Sequence, residues 1–203
     1  MRKLLKRVTI CLLVVVLTFT GMMLVDRKKL RDSLIRFHVI ANSDGKRDQE
    51  VKLLVRDAVI QSIQEDLSNV ADVEQAKTYL RENLPKIENI ANTVLEAAGF
   101  EEKAVVSLCK EAFSAREYDT FTLPSGVYEA LRIVIGDGEG HNWWCVTFPS
   151  LCIPATSQGF QETAAQAGLS DNLTKTLKND RENELRFFAL DILGKLENAF
   201  FTN

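Results

Sequence analysis

Histidine is scarce in this chain of 203 residues: His38 and His141 are the only two, and they stand in no zinc-ligand spacing. Basic side chains are scarce outside the N-terminus. Of the 25 Lys and Arg residues, eight fall within residues 1–31, beside one acidic residue, Asp26. Residues 32–203 carry 17 basic against 27 acidic side chains, a formal charge of -10. Phosphate contacts need Lys and Arg, so an acidic domain of this kind is not expected to bind nucleic acid. Alanine is missing before Ala41, which leaves Thr18, Thr20 and Gly21 as the only small residues a signal peptidase could use near the N-terminal apolar run. No internal repeat or low-complexity tract occurs. With 46% hydrophobic residues the chain can build one core of ordinary size.

What the N-terminus does have is a basic flank, Arg2, Lys3, Lys6 and Arg7, followed by an uncharged stretch from Val8 to Val25. The stretch is long for a signal-peptide core and just long enough to span a bilayer. Cys11 does not suit lipoprotein processing, because Ile10 precedes it and almost nothing apolar lies upstream. Membrane contact through residues 8–25 and export are therefore expected, with cleaved signal and retained anchor both open. Arg27, Lys28, Lys29 and Arg31 follow the stretch, so charge asymmetry gives little guidance on orientation. A long domain after a first apolar segment favours the domain outside.

Periodicity sets out the rest. Leu34–Ala41 alternates as a strand, with Arg36 and His38 as its polar face, and Asn42-Ser43-Asp44-Gly45 breaks it. Val51, Leu54, Val55, Ala58, Val59 and Ile63 mark one buried face of a helix, which Asn42, Ser43 or Asp44 is expected to cap. A further helix starts after Asp72 and runs to Gly99, with Pro85 expected to kink or divide it. Strands follow at Ala104–Cys109, Gly126–Ile135 and Trp143–Phe148. The glycine-rich Gly136–Asn142 reads as a hairpin turn between the last two. Pro149–Asn179 is polar and weakly periodic. Leu185, Phe188, Ala189, Ile192, Leu196 and Phe200 then recur at helical spacing. The expected class is α+β, with helices packed on one face of a mainly antiparallel sheet and a hydrophobic helix at the N-terminus. The expected organisation is a signal peptide or anchor at 1–31, an α+β domain at 32–153, and a polar linker with an amphipathic helix at 154–203.

The densest chemistry lies in Gly136–Cys152, which holds both tryptophans, two of the four cysteines and three glycines. Trp143 and Trp144, adjacent in a strand, face opposite sides. One is expected in the core and the other exposed as an aromatic anchor for a partner, although packing of both within the domain is the plainer alternative. Cys145 and Cys152 can close a disulfide loop outside the cytoplasm if Pro149 turns the chain, or remain reduced thiols; Cys109, expected as a small core residue, competes as a partner. Asp137 and Glu139 would repel phosphate in the glycine loop, and they are too few for calcium. Asn42, Ser43 and Asp44 are further candidates for partner contact. Arg56 and Asp57 read as a solvated or sheet-edge pair.

His38-Val39-Ile40-Ala41-Asn42-Ser43-Asp44, then Asp48-Gln49 and Val55-Arg56-Asp57-Ala58-Val59, resemble the opening of the stage II sporulation protein R family. So do Pro124-Ser125-Gly126-Val127-Tyr128-Glu129-Ala130 and the segment 140–152, whose centre is Asn142-Trp143-Trp144-Cys145. The resemblance covers roughly residues 34–153, and the order and spacing of the pieces make it specific. It implies a signalling ligand of endospore formers, made in the forespore and exported to the space between the forespore and mother-cell membranes. There it would activate a membrane-bound aspartic protease, the stage II sporulation GA protein, which processes pro-sigma-E. On that reading the chain has no catalytic residues, no metal, no cofactor and no small-molecule substrate. The rival readings are a Cys-dependent cell-envelope hydrolase, using Cys145 or Cys152 with His38 or His141, and a structural envelope protein held by its N-terminal helix.

Overall fold

The computed structural model describes residues 1–118, 120–149, 164–165, 168–178 and 184–201. In chain order the elements are α1 (Arg2–Asp32), β1 (Ile35–Ile40), α2 (Lys46–Ser68), α3 (Val73–Ala97), β2 (Ala104–Phe113), the short β3 (Arg116–Glu117) and β4 (Thr122–Leu123), β5 (Gly126–Ile135), β6 (Asn142–Phe148), α4 (Asp171–Leu177) and α5 (Glu184–Phe201). The class is α+β, as expected. Cys152 and most of the expected polar linker lie outside the described residues.

Helix α3 follows its apolar spacing, and α2 does so except at Leu54, which is expected in the buried face but lies at its margin and is 54% exposed. Val51, Val55, Val59, Ile63 and Leu67 are buried on α2, and Ala76, Leu80, Ile87, Ala91 and Leu95 on α3. The Asp72 carboxylate accepts from the amides of Glu74 and Gln75 and starts α3. Pro85 does not divide this helix, which runs unbroken past it. Pro85 and Arg81 are both exposed, so the Arg81 carbonyl that loses its amide partner faces water. The two helices cover one face of the sheet, over Ile35, Phe37, Val39, Val106, Leu131, Ile133 and Cys145. Each fully buried aliphatic side chain there contributes roughly 1.5–3 kcal/mol.

The main sheet has the order β2-β5-β1-β6. β1 is parallel to β5, while β1–β6 and β2–β5 are antiparallel. The expected hairpin between β5 and β6 is therefore absent. β1 lies between these two strands, and Gly136–His141 crosses over its C-terminal end instead of turning directly back. The sheet is also strongly curled. Phe113 on β2 and Trp144 on β6 belong to opposite edges, which in a flat sheet stand about 14 Å apart. Their ring centroids are 4.9 Å apart, so the twist brings the edges together over the second face.

Helices α2 and α3 meet the expectation of a helix-covered face. The second face carries helices as well, because the last turns of α1 and the inner side of α5 pack on it. Met23, Leu30, Leu34, Phe113, Tyr128, Ala130, Val146, Leu173, Leu177 and Leu190 form this second cluster. α1 thus runs across the boundary at residue 31 and ends inside the domain's packing. The apolar stripe of α5 does not face the core: Leu185, Phe188, Ile192, Leu196 and Phe200 are exposed, and the buried side is Leu190, Asp191 and Gly194. Polar contacts decide this orientation. The Ser125 amide donates to Asp191 Oδ1 at 2.8 Å, and Glu197 takes both Arg27 and Arg31 as partners.

Acid should loosen this contact. Burial pushes the Asp191 and Glu197 carboxyls up, but Lys195 and the Ser125 amide on one, and Arg27, the Val127 amide and Arg31 on the other, hold both below the ordinary carboxylate value. A carboxylate depressed in the folded state stabilises above its unfolded pKa, and that contribution is lost as the pH falls through the folded value. Amide exchange in α5, corrected for intrinsic rate, should therefore rise between about pH 5 and pH 3 while α3 stays protected. A flat α5 profile would contradict the ionic basis of the contact.

Candidate functional site

Two groups of residues named from the sequence meet in the fold. The first is a junction where the β1–α2 connection touches the β5–β6 crossover. Asn42, Ser43 and Asp44 do not cap α2: its N-cap is Gly45, without a side-chain cap bond. They bind the crossover and the first turn of α2 instead. Asn42 Oδ1 accepts from the Asp137 amide at 3.0 Å, and its Nδ2 donates to Asp48 Oδ2 at 3.0 Å. The Ser43 hydroxyl donates to the same Asp48 oxygen at 2.7 Å and accepts from the Gly45 amide. The Ser43 hydrogen bond is the main cause that lowers the Asp48 carboxyl below its ordinary range.

Asp44 accepts from both the backbone and the ring of His141, and the ring contact is the larger cause that lowers its carboxyl. Lys52 lies beneath the loop, with Nζ donating to Gln49 Oε1 at 2.6 Å and to the His141 carbonyl at 2.9 Å; burial lowers its pKa. Glycine is required at the crossover. Gly136 has φ +56°, and a Cβ there would stand 2.2 Å from Asn42 Oδ1. A Cβ on Gly140 would stand 2.2 Å from the Ser43 carbonyl oxygen. Asn42 and Ser43 are thus used internally. Asp44 and His141 keep side-chain exposures of 56% and 81% and form the accessible tip.

The second group lies under the curl of the sheet. Arg36 and His38, read as a polar strand face, are both buried, because the aromatic residues of the curl close over them. Arg36 Nη2 donates to the Tyr118 hydroxyl at 2.9 Å, and its Nε to the Cys145 carbonyl at 3.3 Å. Its guanidinium carbon lies 4.3 Å from the Phe113 ring centroid and 5.4 Å from that of Tyr128. Such cation–π contacts partly offset the cost of burying a charge. His38 Nδ1 lies 2.8 Å from Glu111 Oε2, and its ring stacks on Trp144 at 3.6 Å.

The two tryptophans face opposite sides, as alternation requires, but neither is an exposed anchor. Both are half-buried. Trp143 packs edge-on against Phe37 beneath the Arg56 guanidinium, and Trp144 lies between His38 and Phe113. The plainer alternative, packing of both, is what the fold adopts.

Cys145 is a buried thiol in the α2/α3 core, on the face opposite His38. Its pairing with Cys152 falls outside the described residues. Cys109 is half-buried on the second face, with its thiol pKa raised by burial. It is therefore neither next to Cys145 nor activated as a thiolate. Among the described residues no group of three or more His, Cys, Asp or Glu side chains is placed to hold a metal.

Residues 31–158 match the family model for stage II sporulation protein R. The chain belongs to that family. It is 38% identical over 128 residues to the stage II sporulation protein R of Bacillus subtilis (strain 168), covering 63% of this chain and 57% of that relative. The chain thus spans little more than half the length of the curated relative. No solved structure matches it. The family region holds β1 to β6 with the junction and the curled face, while α5 and the apolar part of α1 lie beyond it.

The sequence pattern does not single out Glu111, the half-buried carboxylate that partners the buried His38. Glu111 lies in a strand predicted to end at Cys109 but continuing to Phe113. The available signal was alternation extended over Cys109, Glu111 and Phe113, which aligns them with Tyr128 and Ala130 of β5.

Proposed function

We propose that this chain is a sporulation signalling protein, exported from the forespore to the intermembrane space, where it activates a mother-cell membrane-bound aspartic protease of the stage II sporulation GA type and so causes pro-sigma-E processing. Membership of the stage II sporulation protein R family carries this reading. The N-terminal helix, long and apolar enough to cross a membrane, is compatible with a signal or an anchor and so with export. Contact with the protease is assigned to the junction tip, Asp44 with His141, which Asn42 and Ser43 hold in place; Trp143 and Trp144 stiffen the strand behind it.

Deleting the gene in an endospore-forming host should abolish pro-sigma-E processing on immunoblots, and normal processing would refute the signalling role. Asp44→Ala should cut processing severely while the fold, read by its urea midpoint, stays close to wild type, since the residue is exposed. Wild-type processing in that variant would move the contact elsewhere.

A further inference from the structure

We propose that the outward apolar stripe of α5 rests on the lipid bilayer that α1 enters. The stripe consists of Leu185, Phe188, Ile192, Leu196 and Phe200, spaced three or four residues apart along about 22 Å of helix. Phe188 is 60% exposed and Phe200 81%. Single exposed hydrophobics are ordinary, but a continuous row with two phenylalanines on one helix marks a contact surface.

Its position identifies what covers it. α5 is held against the turns of α1 that directly follow the apolar segment ending at Val25. Arg186 pairs with Asp26, Arg27 donates to the Leu190 carbonyl at 3.0 Å and pairs with Glu197, and Arg31 reaches Glu197 at 3.1 Å. These contacts occupy the polar side of α5 and turn its apolar side outward, beside the exposed hydrophobic surface of α1. A helix with one strongly apolar face at the exit of a membrane-spanning segment has the form of an interfacial helix.

Charge agrees. Lys28 and Lys29 are exposed at the same end, and among the described residues neither has an acidic partner. They suit anionic headgroups, whereas the formal charge of -10 on residues 32–203 turns the rest of the domain away from such a surface. A soluble partner or a second copy of the chain would need neither this location nor these lysines.

The inference rests on α1 entering the bilayer, so the experiment reads both. The full chain is reconstituted in vesicles of phosphatidylglycerol and phosphatidylcholine, with p-benzoyl-phenylalanine replacing Phe188, Leu196 or, as control, the exposed Glu82 of α3. Flotation reports insertion of α1, and illumination reports what touches the probe. Positions 188 and 196 should give roughly tenfold more lipid adduct than position 82. Flotation with background-level adducts, or with crosslinked dimers in place of lipid adducts, would overturn the α5 assignment alone. A chain that does not float would overturn the anchor reading and this inference with it.

Discussion

Trp144→Ala should cost about 3 kcal/mol of stability, near the lower end for removing a packed tryptophan because the side chain is half-buried. The indole is the piece on which the curled face closes. It stacks on His38 with an interplanar angle of 16° and meets the edge of Phe113 at 70°, and aromatic pairs add about 0.5–1.5 kcal/mol beyond area alone. Its loss uncovers His38, whose Nε2 already lacks a hydrogen-bond partner, and removes the support for the Phe113 ring above Arg36. The urea midpoint measures the effect. Trp143→Ala, which removes contacts with Phe37 and Arg56, should cost less. An unchanged midpoint in the Trp144 variant together with lost signalling would restore the partner-anchor reading.

Gly194→Ala should release α5 from the sheet, at a cost of about 3 kcal/mol, the upper end for overpacking. A Cβ at this position would stand 1.7 Å from the Ser125 carbonyl oxygen and 2.4 Å from its carbon. Those are backbone atoms in the turn before β5 and cannot rotate aside, so the helix must lift. Lifting it exposes Leu190, breaks the bond from the Ser125 amide to Asp191, and draws Glu197 away from Arg27. Amide exchange in α5 should approach the unprotected rate while α2 and α3 remain protected. Wild-type protection in α5 would mean that the helix is not held at this point.

Local signals sufficed where local physics decides the outcome. The faces of α2 and α3, apart from Leu54, the Asp72 cap and the apolar α1 could all be read from spacing and residue type. Long-range pairing could not. The glycines between β5 and β6 suggest a tight return, and nothing in that segment records that β1 occupies the space between. Burial of Arg36 and His38 depends on Phe113 and Trp144, distant in sequence and brought over the face only by the twist. The direction of α5 was misleading for a physical reason: its apolar row is its strongest periodic signal, yet a glycine and two carboxylates dock it. Asn42, Ser43 and Asp44 stand out in the sequence as a polar break, but their hydrogen-bond partners are split between the first turn of α2 and a segment almost a hundred residues away.

Only Ser33 and Leu34 separate α1 from β1, and the last turns of α1 are walls of the domain. Where α1 stays in a bilayer, the domain is therefore not on a leash. It is a stub fixed in height and tilt, and the junction tip can sweep only a thin layer above the lipid. Encounter with a protein embedded in a facing membrane then becomes a search in two dimensions, governed by lateral diffusion and by the gap between the membranes rather than by concentration in a volume.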